Sequence, residues 1–392
     1  MMRAAPLTET AVREILRGVR DPELHASIVD LGMVRDIRID PDGRVTVKVA
    51  LTTAGCPLRS QIRDDVESKV RGLPGVAAVD VEYGEMTQDE KSAVMQRARW
   101  EAREGAPETE IPATTRVLAI ASGKGGVGKS SVTVNLAAAL AAPGRTVGVL
   151  DADIWGFSVP RMLGADGRLG GTDGKIDPQI VEVGAGSIKV VSMGFLVEDE
   201  ASALMWRGLI LSKALEQFLT DVRWGDLDYL LIDMPPGTGD IQMALARLLP
   251  STELLVVTTP AAAAQRVAAR VADMARRSYL KVAGVVENMS YFIAPDGSRH
   301  AIFGEGGGPE LAADIGAPLL GQIPIEAAVS IGGDEGRPVA VSDPDSPAGH
   351  AFRDIADAIV REILPPVEMS GCTARVFEQA RATLAAKDAA SS

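Results

Sequence analysis

The run Gly123-Lys124-Gly125-Gly126-Val127-Gly128-Lys129-Ser130-Ser131 constrains this chain more than any other stretch of it. Its glycines let the backbone turn so that successive N–H groups face one point, and the positive end of a following helix adds to their field. A phosphate group suits that geometry, with Lys129 placed to reach the β and γ phosphates of a nucleotide and Ser130 to offer its hydroxyl to Mg²⁺. The flanks agree. Val117 to Ala121 reads as a buried strand and Val132 to Leu140 as an Ala-rich helix, the context such a loop needs.

At 392 residues the chain exceeds one ordinary core, and 46% hydrophobic residues are ample for two globular units. A net charge of −13 speaks against a protein whose main work is gripping nucleic acid, since that needs a basic face. Met1 to Thr10 lacks the basic and then apolar pattern of a secretory leader, and no apolar run is long enough to span a bilayer. The expectation is a cytoplasmic protein with neither nucleic acid nor membrane among its partners. Its two cysteines, Cys56 and Cys372, lie far apart, which excludes a disulfide framework and a C-x-x-C metal knuckle formed within one subunit.

Residues 1–83 read as a small α+β domain. Val12, Ile15, Leu16 and Val19 share one face of an opening helix that Asp21-Pro22 ends. Alternating strands follow over 34–40 and 44–51, joined at Asp42-Gly43, then a helix with Leu58, Ile62, Val66 and Val70, then a strand over 76–83. Residues 84–115 read as an exposed charged helix and a linker. From 116 to 363, seven hydrophobic strands alternate with helices as in a mostly parallel, doubly wound α/β sheet covered on both faces. They are expected at 117–122, 146–150, 188–192, 229–233, 254–258, 282–286 and 319–323. Residues 364–392 read as a mobile tail with a short amphipathic segment around Val376, Phe377, Ala380 and Leu384.

Such sheets bind ligands at the carboxyl ends of their strands. Asp151-Ala152-Asp153 follows the second large-sheet strand, and Asp233-Met234-Pro235-Pro236-Gly237-Thr238-Gly239-Asp240 follows the fourth. Asp233 closes an apolar run as a Walker-B aspartate does and can hold Mg²⁺ through water, while Asp153 is placed to orient an attacking water. A single strand-end aspartate is more often a turn or helix cap, but three phosphate-edge motifs in this order favour the nucleotide reading. Lys124, Lys129 and Asp153 are thus the candidate catalytic residues, and Ser130, Asp153 and Asp233 the candidate Mg²⁺ ligands. Lys124 is either a surface residue or a neutraliser of charge on a nucleotide held by a second subunit.

The K-G-G-V-G-K-S form resembles the deviant Walker-A ATPases, which include MinD, ParA and the nitrogenase iron protein. That resemblance implies a homodimer closing on ATP, with Lys124 reaching across it as an arginine finger does. A closer likeness rests on Asp151-Ala152-Asp153-Ile154 with Gly156, Ser158 and Pro160, on Asp233 to Asp240, on Glu287-Asn288-Met289-Ser290, on Trp206-Arg207-Gly208 and Trp224 to Tyr229, and on Phe303 to Gly308. Together these resemble the Mrp (ApbC) family of iron–sulfur cluster carrier ATPases over residues 116–363. Residues 1–83, with Asp30-Leu31-Gly32 and Thr52 to Pro57, resemble the iron–sulfur assembly domain that bacterial members often carry in front. The likeness implies ATP and Mg²⁺ as cofactors, Asn288 on adenine, and slow hydrolysis accompanying cluster transfer. Apo iron–sulfur proteins and cluster assembly factors are the implied partners.

One departure stands out. Where the family usually reads C-P-x-C after E-N-M-S-x-F, this sequence has Ala294-Pro295-Asp296-Gly297. The two thiolates that would bridge a cluster between subunits are absent, and the hard carboxylate of Asp296 replaces a soft thiolate poorly. His300 nearby reads as a surface or hydrogen-bonding residue. Cys56, followed by Pro57 at an expected helix start, has the setting of a thiolate of lowered pKa, or of a small buried N-cap. Cys56 and Cys372 are the candidate iron–sulfur ligands that remain. Two other readings stand beside the carrier: an ATP-gated adaptor in iron–sulfur assembly that holds no cluster, and a MinD- or ParA-like positioning ATPase. The last needs a membrane helix or a basic DNA face, which the acidic composition disfavours.

Overall fold

The computed structural model describes residues 7–21, 27–51, 59–87, 90, 93–94, 107–153, 156–165, 167–196, 208–237, 240–278 and 280–365. Cys56, Cys372 and the amphipathic segment at 376–384 lie outside them, as do Ile154, Trp206, Arg207, Thr238 and Gly239.

In the N-terminal unit, α1 (Glu9–Leu16) starts where the Thr8 hydroxyl accepts the Ala11 N–H at 3.2 Å, capping an otherwise unpaired donor. Strands β1 (Val34–Ile39) and β2 (Arg44–Leu51) are antiparallel. Helix α2 (Arg59–Arg71) buries Ile62, Val66 and Val70, and β3 (Ala78–Glu85) runs parallel to β2. Helix α1 ends five residues short of Asp21, because Arg17, Gly18 and Val19 turn back to the carbonyls three residues earlier and tighten the last turn. Val19 is still buried from that turn, but Ile15 is 38% exposed and not on the core face. Val94, expected on an exposed helix, is instead buried in this unit's core.

The large sheet takes β4 (Arg116–Ser122) and β5 (Thr146–Asp151); a separate hairpin of β6 (Gly170–Thr172) and β7 (Lys175–Asp177) follows, and β8 (Gln179–Val183), β9 (Gly186–Ser192), β10 (Tyr229–Asp233), β11 (Glu253–Thr258) and β12 (Lys281–Glu287) return to the large sheet. A second small hairpin, β13 (Phe292–Ile293) with β14 (Arg299–His300), precedes the last sheet strand, β15 (Leu319–Gln322). The order across the sheet is β15-β12-β11-β4-β10-β5-β9-β8, all parallel except β8. All seven expected strands are present. The eighth, β8, pairs antiparallel with β9 through a turn at Gly184-Ala185 and forms an edge, so its residues are mostly half-exposed and lack the apolar run of its neighbours.

One face of the sheet is covered by α3 (Lys129–Ala141), together with α4 (Val159–Met162) and, from the C-terminal part of the sequence, α9 (Ala327–Asp334), α10 (Val339–Ser342) and α11 (Pro347–Ala358). Helices α5 (Gly208–Thr220), α6 (Asp240–Leu248), α7 (Ala262–Arg277) and α8 (Gly307–Ile315) cover the other. Helix α3 is buried from Val132 through Ala141, which explains an apolar pattern all round it; small Ala side chains let the sheet and α11 approach from opposite sides. Part of the expected linker belongs here: Ile111 packs into the second core, and the Glu110 N–H bonds the Leu219 carbonyl at 2.8 Å. The start of the expected tail is held too. Leu364 is buried, its carbonyl accepts the Tyr229 hydroxyl at 2.8 Å, and the Pro365 carbonyl accepts Arg116 Nε at 2.7 Å. Among the described residues no helix is long and apolar enough to cross a membrane.

Candidate nucleotide site

The phosphate loop leaves the carboxyl end of β4 and enters α3 at Lys129. Two of its glycines are required for reasons of space. A Cβ on Gly123 would run into the α7 backbone at Val267 and Ala268, and Gly128, with φ +78°, is left-handed and pressed against Asn288 Nδ2. Below the loop, β10 lies between β4 and β5, so that Asp233 stands in register with both Ile120 and Asp151. Two buried carboxylates are therefore neighbours on adjacent strands.

Each is satisfied differently. Asp233 accepts Lys129 Nζ (2.7 Å) and Thr133 Oγ1 (2.8 Å) on Oδ1, and Ser130 Oγ (2.6 Å) on Oδ2. Asp151 takes backbone N–H groups from Asp153 (3.1 Å), Ser158 (3.2 Å) and Val159 (3.3 Å) plus the Ser192 hydroxyl (3.2 Å). Burial first, and the Asp233 charge second, push the Asp151 carboxyl well above the usual carboxylate range, while its own hydrogen bonds and Lys129 act the other way. Asp151 thus folds the loop that presents Asp153, whose Oδ2 lies 3.9 Å from Lys129 Nζ. Lys129, Ser130 and Asp153 line a cleft of ≈ 540 Å³ with the rest of the phosphate loop, Ser158, Arg161 and Asp334, and Asp233 lies fully buried behind Lys129 and Ser130. The Ser130 hydroxyl and the two carboxylates are hard oxygen donors, a set that fits Mg²⁺ held by one or two carboxylates and substrate phosphates.

Lys124 is exposed on the same loop and has no carboxylate partner among the described residues. Asn288 is buried, and its Nδ2 donates to the Val127 carbonyl at 2.9 Å, bracing the loop from below. Met289 beside it has φ +54°, one of two non-glycine residues with positive φ among those described. That bend lets Asn288 face the loop while Ser290 Oγ turns back to Glu287 at 2.5 Å. Glu287 also accepts Gln322 Nε2 at 2.7 Å and the Gly308 N–H, tying the Glu287–Ser290 motif to the glycine-rich start of α8. Sequence reading missed this brace, and its only signal was the recurrence of both motifs in one sequence.

Ala294 to Ser298, where the resemblance leads one to expect C-P-x-C, form the turn between β13 and β14 and close on themselves. The Ala294 N–H bonds the Ser298 carbonyl (2.9 Å), the Gly297 N–H bonds the Ala294 carbonyl (2.8 Å), and Asp296 accepts the Ser298 hydroxyl (2.6 Å) and N–H (2.9 Å). The Ser298 hydroxyl holds the Asp296 carboxyl below the usual carboxylate range. His300 Nε2 is 2.8 Å from Ser298 Oγ, the hydrogen-bonding role expected of it.

Residues 113–360 match the family described as NUBPL iron-transfer P-loop NTPase, and residues 9–81 match that described as iron-sulfur cluster assembly protein. An iron-sulfur cluster carrier protein of Mycobacterium leprae is 46% identical over 364 residues, covering 91% of this chain and 94% of its own length. The protein of that name from Synechocystis is 42% identical over 360 residues, covering 91% and 98%. A solved nucleotide-binding protein from Archaeoglobus fulgidus, in complex with ADP, superposes with a TM-score of 0.52 at 34% identity, over 65% of this chain and 96% of that one. With a phosphate loop, two strand-end carboxylates and that breadth of similarity, this chain belongs to the NUBPL iron-transfer P-loop NTPase family.

Proposed function

We propose that the protein binds and slowly hydrolyses ATP with Mg²⁺ as a homodimer, and that this cycle carries iron–sulfur clusters to apoproteins with the help of cluster assembly factors. The convergence of Lys129 and Ser130 on Asp233 carries the reading, since the two cleft-lining groups that would take phosphate and metal already meet the carboxylate behind them. The names of the Mycobacterium and Synechocystis relatives support the cargo. In this reading residues 123–131 cradle the phosphates, Asn288 contacts adenine beside the loop it braces, and Ser130, Asp153 and Asp233 hold Mg²⁺ directly or through water. The ion would offset charge on the β and γ phosphates. Residues 1–83 form the assembly domain and 116–363 the ATPase.

Asp153 orients the attacking water. Asp153→Ala is therefore expected to slow phosphate release by about 100-fold while a fluorescent ATP analogue still binds. A wild-type rate would assign that task to another group.

The closed, thiol-free turn at Ala294 to Ser298 favours a second reading, an ATP-gated adaptor that recruits assembly partners but holds no cluster itself. Anaerobic iron–sulfur reconstitution separates the two. A carrier predicts stoichiometric iron and sulfide with a cluster absorption spectrum in wild type, lost in Cys56→Ala or Cys372→Ala. Intact ATPase activity with no cluster in any sample would leave the adaptor.

A further inference from the structure

Helix α3 is an apolar helix with a hydroxyl in the wrong place. Thr133 is fully buried, one turn beyond Lys129, where Val would fill the same space and need no hydrogen bond. Its Oγ1 lies 2.8 Å from Asp233 Oδ1 and 3.0 Å from the Lys129 carbonyl. One hydroxyl proton serves one acceptor at a time, and the carboxylate is the stronger of the two.

Among the described residues the donors to the Asp233 carboxylate are all side chains. Asp151 is held by three backbone N–H groups, but Asp233 is held only by the side chains of Lys129, Ser130 and Thr133 among the described residues. Under the Mg²⁺-ATP reading above, on which this inference rests, Lys129 turns to phosphate oxygens and Ser130 to the metal. Both leave Asp233 when it must face the ion. Thr133 lies beneath the loop, does not line the cleft, and cannot be drawn away by phosphate.

We propose that Thr133 is the positioning residue for Asp233 in the nucleotide-bound state. It holds Oδ1 so that the carboxylate presents Oδ2 to the metal or its water. Fixing one oxygen of a carboxylate orients the other, the way outer partners tune metal ligands elsewhere.

The test measures binding rather than turnover. A fluorescent ADP analogue is titrated onto wild type, Thr133→Val, Thr133→Ala and Thr133→Ser, with Mg²⁺ varied from chelated to saturating. Val and Ala are expected to raise the Mg²⁺ concentration needed for half-maximal enhancement of binding by roughly 10- to 100-fold, with affinity in chelator unchanged. Ser, which keeps the hydroxyl, restores the wild-type requirement. A Thr133→Val protein with the wild-type Mg²⁺ requirement overturns the proposal, as does a shift shared by Val and Ser, which would mark a packing role alone. Wild-type binding that ignores Mg²⁺ would instead overturn the underlying Mg²⁺-nucleotide reading.

Discussion

A Lys129→Ala protein is expected to bind ATP about 30-fold or more weakly than wild type, because truncating one partner of a buried charge pair costs about 2–5 kcal/mol. Lys129 is buried, and its ammonium lies 2.7 Å from Asp233 Oδ1 and 3.9 Å from Asp153 Oδ2, so the loss also reaches the empty protein. Asp151 is already pushed up by burial and by the charge of Asp233, with Lys129 acting against that rise. Without the lysine, Asp233 keeps two hydroxyl donors among the described residues. Removing one member of such a pair destabilises the fold by about 3–5 kcal/mol, less whatever proton uptake by a carboxyl relieves. Thermal melting without nucleotide and calorimetric ATP titration read the two effects separately. Adding Asp233→Asn to Lys129→Ala should recover melting temperature without recovering ATP affinity, since the surplus charge is gone but the phosphate still lacks its cation. Normal hydrolysis by Lys129→Ala would remove the phosphate-loop assignment. An unchanged melting temperature would mean that the carboxylates carry no surplus charge.

Lys124→Ala is expected to behave in the opposite way: ATP affinity and melting temperature stay near wild type while hydrolysis falls about 1,000-fold, the scale of a missing trans-acting cation. The contrast follows from placement. Lys124 is exposed at the cleft and pairs with no carboxylate among the described residues, so its own protomer loses little with it. If it serves a nucleotide across a dimer, the loss falls on turnover and on ATP-driven closure. Sedimentation with and without ATP reads the second. A variant that dimerises on ATP and hydrolyses it at the wild-type rate would leave Lys124 as a surface residue.

The phosphate loop was legible because it is chemistry held in nine consecutive residues. The seven strands were legible because burial on both faces of a parallel sheet demands near-continuous apolar runs such as Tyr229 to Ile232 and Leu254 to Val257. β8 and the two hairpins escaped for the converse reason. An edge strand alternates weakly, and segments of two or three residues are set by their partners rather than by their own pattern. The burial of Ile111, Val94 and Leu364 turned on what lay against them.

What this sequence determined alone is thus local: a phosphate loop between strand and helix, Asp151 and Asp233 at the ends of the strands expected at 146–150 and 229–233, and a stretch without thiols at 294–297. Tertiary structure alone decided which groups answer one another. Asp233 meets Lys129, Ser130 and Thr133 across about a hundred residues, and Asn288 meets Val127 across 161. A buried charge or hydroxyl needs a partner in space, and its position in the sequence holds no record of which partner that is.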